Sequence, residues 1–232
     1  MTCPPVRWLG RLDYRDAHSR QIAHRDSIVN NTASEQIWCL EHPPVITTGR
    51  RTAERLPDLA TQDALGVPVV ATERGGLATW HGPGQLIVWP LIHIVRRRIG
   101  VRQFVELLED AVISWLSTIG VHAGRRAGTP GVWCDHPLAP HARKICAVGL
   151  HIHRGVTAHG LALNLSPDMA GYQLIIPCGI RGAGITSVAQ LNGNSPSVEA
   201  AAASLGEVLA DHIAAASADS GEKSLARPSA KP

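Results

Sequence analysis

The sequence predicts an α/β fold of the α+β type, a mixed β-sheet flanked by helices, and three observations carry that prediction. β-favouring runs cluster between residues 37 and 165, helical stretches lie at both ends and in the middle, and strand and helix never alternate with the regularity of a parallel βαβ fold. The chain has 232 residues, a length at which α/β folds commonly stay single. It reads as one domain over residues 1–216, followed by a Ser-, Ala-, Lys- and Pro-rich tail over residues 217–232 that is expected to be disordered.

Each element has a local reason. Asp13 is placed to cap a helix through Tyr14, Ala17, Ile22 and Ile28, whose helical spacing is loose. Short β-favouring runs follow at Ile37 to Glu41 and Val45 to Thr48, separated by His42-Pro43-Pro44, where proline ends ladder pairing. Val67 to Ala71 and Leu86 to Leu91 read the same way. From Val101 the period changes: Phe104, Val105, Leu108, Ala111, Val112, Trp115, Leu116 and Ile119 form one apolar stripe that stops at Gly120. Strand character returns at Gly131 to Cys134, Lys144 to His153 and Val156 to Leu165, with Arg154-Gly155 as a tight hairpin connection. Ser195 and Pro196 supply an N-cap and a first-turn proline for an Ala-rich helix reaching about Ala216.

Composition excludes several classes. No apolar run approaches the ~18 residues that cross a bilayer. A net charge of +3 without an aromatic-studded basic surface argues against a nucleic-acid partner. The N-terminal residues lack the apolar core of a cleaved leader, so none is expected. Five scattered cysteines, an odd number, fit reduced thiols in a cytoplasm better than a disulfide framework.

The richest segment is Arg74-Gly75-Gly76-Leu77-Ala78-Thr79-Trp80-His81-Gly82-Pro83-Gly84-Gln85, whose four glycines and proline describe a backbone that bends sharply and admits a ligand closely. Downstream, Pro177 and Gly179 set Cys178 on a shaped loop after Leu174-Ile175-Ile176. Taken alone, a free cysteine is more often a small buried hydrophobe than a nucleophile. A thiol is a few per cent ionised at neutral pH, and a nearby ammonium would raise that fraction. Of three lysines, Lys144, Lys223 and Lys231, Lys144 alone lies inside the folded region.

His81 and His159 each adjoin glycine and suit a proton shuttle or a purely structural role equally. Cys134, His136, His141 and Cys146 superficially resemble a zinc knuckle. The first gap is one residue, however, and on a strand that points two ligands to opposite faces, so no metal is expected. The Gly179-Ile180-Arg181-Gly182-Ala183-Gly184 run matches neither a P-loop nor a dinucleotide fingerprint. Arg96-Arg97-Arg98 with Arg102 is a basic cluster suited either to an acidic protein partner or to simple solvation.

These blocks together resemble the lipoyl(octanoyl) transferase family of lipoate biosynthesis. The resemblance runs over about residues 7–190, through Glu41-His42-Pro43-Pro44-Val45, the Arg74 to Gln85 block, Gly131-Val132-Trp133, Lys144-Ile145-Cys146-Ala147-Val148-Gly149, Arg154 to Asn164 and Ile176-Pro177-Cys178-Gly179-Ile180. It implies a fold related to the catalytic domains of lipoate and biotin protein ligases. It also implies transfer of an octanoyl group from acyl carrier protein to a lysine amine of apo lipoyl domains of 2-oxoacid dehydrogenase complexes, with the glycine cleavage H protein as a further acceptor, and no cofactor. By resemblance Cys178 is the thioester nucleophile and Lys144 lowers its pKa. Substrate-binding positions then fall on Arg74, Gly75, Gly76, Leu77, Ala78, Thr79, Trp80 and His81, on Ala147, Val148 and Gly149, and on Gly160, Leu161 and Ala162. Trp80 and Trp89 stand where the family frequently has tyrosine, and Cys146 fills a small-residue position. Two competitors remain at this point: an ATP-dependent ligase on the same fold, which would use lysine without cysteine, and a silent acyl-binding module.

Overall fold

Asp13 caps the first helix as its position predicts, its carboxylate accepting from the backbone N–H groups of Arg15 at 2.8 Å and Asp16 at 3.3 Å. In the computed structural model, which describes residues 2–51, 56–135, 142–175 and 184–225, the chain opens with a strand β1 (Val6–Arg11) and this helix α1 (Tyr14–Val29). There follow β2 (Gln36–Glu41), β3 (Val45–Thr48), a short helix α2 (Leu59–Leu65), β4 (Val69–Ala71), β5 (Thr79–His81) and β6 (Gln85–Leu91). Helix α3 (Val101–Thr118) then leads to β7 (Ala123–Arg126), β8 (Thr129–Cys134), β9 (Arg143–His153) and β10 (Val156–Asn164). A 3-10 turn at Met169–Leu174, β11 (Gly184–Ile185), α4 (Val188–Asn192) and α5 (Val198–Leu225) complete it.

The large sheet runs β1-β2-β6-β10-β9-β8-β7, with β11 pairing β9, and a small sheet runs β4-β3-β5. β1 with β2, β3 with β4 and β9 with β11 are parallel and the other pairs antiparallel, so the sheet is mixed as expected. Strand β6 is buried along its whole length. Its Leu86 and Val88 pack in the main core with Phe104, Leu108 and Trp115 of α3 and Leu205 and Leu209 of α5. Its Ile87 and Trp89 turn to the other face and pack with Tyr14 and Ala17 of α1. A strand covered on both faces reads as a near-continuous apolar run, and β6 does so from Leu86 to Leu91 after its first residue, Gln85. The β9–β10 hairpin turns on Arg154 and Gly155, both at positive φ (48° and 85°), the pair a two-residue turn of this hand requires.

Two boundaries differ from expectation. Helix α5 is capped by Ser197 rather than Ser195: the Ser197 hydroxyl accepts from the Ala200 N–H at 3.2 Å, whereas Ser195 bonds the Pro196 carbonyl. Both serines fit a cap by type, and the one whose hydroxyl reaches the third helical amide takes the role. The same helix runs beyond Ala216 to Leu225. Between them Gly221 is the one poor helix former, and the first proline comes at Pro228.

The arginine cluster is also resolved. Arg97 is buried, its guanidinium donating to Glu35 Oε2 at 2.8 and 2.5 Å, to Ser217 Oγ at 3.0 Å and to the Thr2 carbonyl at 3.0 Å. It clasps the start of the chain to the final helix, which rules it out as a docking residue. Arg97→Glu is expected to set a buried carboxylate against the partly buried one of Glu35 and to lower stability by about 3–5 kcal/mol. Urea denaturation checks this; an unchanged midpoint would contradict the clasp.

Candidate active site

The loop Arg74–Leu77 is laid onto the large sheet by one hydrogen bond, from the Gly75 N–H to the Leu150 carbonyl at 2.9 Å. Gly149 makes the approach possible, because a Cβ there would sit 3.1 Å from the Gly75 carbonyl oxygen. Between loop, sheet and α1 lies a cavity of about 540 Å³, a size usual for a small-ligand site. Arg74 to Thr79, His81, Ala147 to Gly149 and Gly160 to Ala162 all line it, as does Lys144. Of the sequence-predicted binding residues, Trp80 is placed elsewhere: its ring packs against Tyr172 at 5.5 Å between centroids, behind the wall. Residues not assigned to binding from the sequence complete the lining, among them Tyr14, His42, Trp89, Val101 and Val105.

Lys144 is buried, and its ammonium donates to the Pro130 carbonyl at 3.0 Å and sits 4.8 Å from the centre of the Trp133 ring. Carbonyl and aromatic face together hold a cation in place. Gly131 makes room: it has φ +119°, and a Cβ there would lie 2.5 Å from the Cys146 carbonyl oxygen and 3.2 Å from Lys144 Cε. The buried carboxylate of Glu109, on α3, accepts from the Gly131 N–H at 2.7 Å and fixes this turn. Burial pushes the Glu109 pKa up, and that hydrogen bond opposes the shift.

A buried polar chain joins the glycine loop to the lysine strand. Arg74 donates to the Thr47 carbonyl at 2.7 Å and to Thr47 Oγ1 at 3.0 Å, and Thr47 Oγ1 lies 3.1 Å from His81 Nε2. His81 Nδ1 meets Gln85 Oε1 at 2.7 Å. The Gln85 amide donates to Asn164 Oδ1 and to the Tyr172 hydroxyl, both at 2.9 Å. Asn164 in turn donates to the Thr186 carbonyl at 3.0 Å, and the Thr186 N–H donates to the Lys144 carbonyl at 3.0 Å. Because Gln85 presents its nitrogen to Asn164, its oxygen faces His81. The network thus assigns the His81 proton to Nδ1 and leaves Nε2 to accept from Thr47.

That arrangement needs neutral imidazoles. Burial lowers the pKa of His81 to about 3 and of His42 to about 4. A base whose pKa falls on folding leaves the unfolded chain holding more protons below about pH 6.5, so stability is full above that pH and lost as pH falls toward about 4. His42 alone accounts for about 3 kcal/mol. Urea midpoints at about pH 7.5 and about pH 4.5 are expected to differ accordingly; equal midpoints would contradict neutral burial.

Cys178 lies outside the described residues, as do His136 and His141. The chain on either side of Cys178 is described: Ile175 is buried against the Trp80 cluster, and Ile185 pairs with Lys144. Cys146 is wholly buried in the main core, where loss of solvent drives its thiol pKa above the ordinary range despite the nearby Lys144 charge. Burial likewise pushes Cys39 and Cys134 up to about 12. Among the described residues no helix is long and apolar enough to cross a membrane.

Residues 13–210 match the family model described as the lipoyl protein ligase A/B catalytic domain. An octanoyltransferase of Methylococcus capsulatus is 40% identical over 205 residues, covering 88% of this chain and 93% of that one. Among solved structures, a bipartite lipoate protein ligase from Thermoplasma acidophilum superposes with a TM-score of 0.62 at 16% identity, covering 97% of this chain and 84% of that chain. A biotin protein ligase from Aquifex aeolicus superposes with a TM-score of 0.53 at 12% identity, covering 96% and 74%. At such identities these structures speak to the fold.

Proposed function

Because the chain belongs to the lipoyl protein ligase A/B catalytic-domain family and is an acyltransferase of the octanoyltransferase type, we propose that it carries an octanoyl group on Cys178 between an acyl-carrier-protein thioester and a lysine amine of a lipoyl domain. The observation that carries the reading is the apolar cavity that joins the glycine loop, β9 and β10 and has the Lys144 ammonium in its wall. Burying a methylene is worth about 0.8 kcal/mol, so such a cavity holds an eight-carbon chain while discriminating modestly between neighbouring lengths.

The chemistry balances without ATP. The Cys178 thiolate attacks the donor carbonyl carbon, a C–S bond forms, the bond to the carrier sulfur breaks, and the departing thiolate takes a proton from the Lys144 ammonium. The acceptor amine then attacks the enzyme thioester, the C–N bond forms, Lys144 takes the amine proton, and Cys178 leaves as thiolate. The first exchange trades one thioester for another; the second forms an amide and runs downhill. For the oxyanion, Gly75 is already committed to Leu150, and the Gly76 N–H, without an acceptor among the described residues, is the donor we assign. Acceptors of the 2-oxoacid dehydrogenase and glycine cleavage H type, and a cytoplasmic site, complete the reading.

Intact-protein mass spectrometry after incubation with octanoyl carrier protein tests it. One hydroxylamine-labile octanoyl adduct on Cys178, discharged by apo lipoyl domain, is expected. Activity that requires ATP and survives Cys178→Ser would establish a ligase, and an adduct never discharged to a lipoyl domain would establish a binding module.

A further inference from the structure

On the flank of the cavity, imidazoles from three different elements converge on one carboxylate oxygen. His18 Nε2, from α1, lies 3.1 Å from Glu73 Oε1, and His159 Nε2, from β10, lies 3.3 Å from the same atom. His151 Nδ1, from β9, lies 3.8 Å from it. One ligand atom each of His18, Glu73 and His159 falls within 4.8 Å of the others. Glu73 is the one group that His159 Nε2, on a side chain 3% exposed, meets among the described residues, at 3.3 Å and without the alignment of a full hydrogen bond, and the His151 Nδ1 atom is out of solvent in the same way at 3.8 Å. Buried nitrogens left without a well-aligned hydrogen bond are rare in folded proteins because each forfeits its bond to water. Here two of them are aimed at a single oxygen.

The nitrogen–oxygen spacing is compatible with a coordination shell. A tetrahedral ion with bonds of about 2.0–2.1 Å sets its ligand atoms about 3.3 Å apart. The two nitrogen–oxygen separations, 3.1 and 3.3 Å, match this. The His18 and His159 rings stack with centroids 5.2 Å apart, and both Nε2 atoms approach the same Glu73 oxygen. Two imidazoles and one carboxylate form a donor set for a borderline divalent ion, and a carboxylate supplies the charge that two neutral imidazoles lack.

We propose that His18, Glu73 and His159 form a divalent-cation site of the zinc class, with His151 within reach as a fourth donor. An ion held there ties the outer helix to β10 and to the residue immediately before Arg74, and so braces the floor of the cavity. The ion takes no part in the acyl-transfer steps, although His159 also lines the cavity; the cobalt spectrum reports the site whether or not acyl transfer occurs.

Cobalt(II) titration of the chelator-treated full chain is the test, because its spectrum reports the ligands. One equivalent is expected to give the visible bands of a four-coordinate ion without the near-ultraviolet charge transfer of a cobalt–thiolate bond, and zinc is expected to displace it and raise the Tm. His18→Phe keeps a ring against His159 but removes both nitrogens, and should weaken binding by about tenfold or more. Glu73→Gln serves if that variant does not fold. Absence of the bands in the unsubstituted chain, a thiolate charge-transfer band, or unchanged affinity in a folded variant would each overturn the site.

Discussion

Cys178→Ala is expected to abolish acyl capture altogether, with no octanoyl adduct by mass spectrometry, while Cys146→Ala still forms one. The contrast follows from where the Cys146 sulfur stands. Cys146 lies two residues from Lys144 and by sequence distance alone is the more obvious partner. Its side chain is nevertheless sealed among the residues that join the sheet to α3 and α5. Burial outweighs the lysine charge there and holds the thiol protonated, and a protonated thiol is a poor nucleophile. Cys146→Ala deletes a buried sulfur and should lower stability somewhat without touching turnover. An adduct that persists in Cys178→Ala and disappears in Cys146→Ala would reverse the assignment.

Lys144→Met is expected to slow both half-reactions by about 10²–10⁴-fold, the usual contribution of a positioned proton-transfer group. Methionine nearly matches the chain length and keeps the packing past Gly131, so the loss reports the ammonium. Lys144→Arg separates its two duties. A guanidinium keeps the positive charge but does not exchange its proton; a thiolate can leave the donor unprotonated whereas the acceptor amine must lose a proton, so acyl capture should be retained better than transfer to the amine. Single-turnover measurement of the two steps decides this; equal retention of both would mean that Lys144 serves by charge alone. The lysine has little freedom to drift, being held by the Pro130 carbonyl and the Trp133 ring.

Local chemistry announced most of the elements. The stripe from Phe104 to Ile119, the Asp13 cap and the Arg154-Gly155 turn each depend on neighbours within a few residues, and the observed helices and hairpin follow them. The short pieces were silent: β5, β7, β11 and α2 are of two to seven residues, too few for a period to emerge. They exist because partners elsewhere in the chain supply their hydrogen bonds, as when Lys144 and Arg143 pair β11. The glycine loop was picked out by its composition and its two companion segments, Ala147 to Gly149 and Gly160 to Ala162, by the family resemblance, and all three line the cavity. Glu109, Thr47, Gln85 and Asn164 were not, since a buried polar residue has no mark in sequence until its partner is known.

The order of amino acids by itself determined the mixed α/β architecture, the family and the residue types available for acyl transfer, because periodicity, turn chemistry and motif blocks are properties of contiguous chain. Tertiary structure alone decided that Arg97 is a clasp and not a docking charge, that Cys146 is core, that His81 is neutral and fixed in one tautomer, and that His18, Glu73 and His159 meet at one point. Those outcomes depend on loss of solvent and on distances of about 3 Å between segments remote in sequence, and neither can be read until the chain has closed on itself.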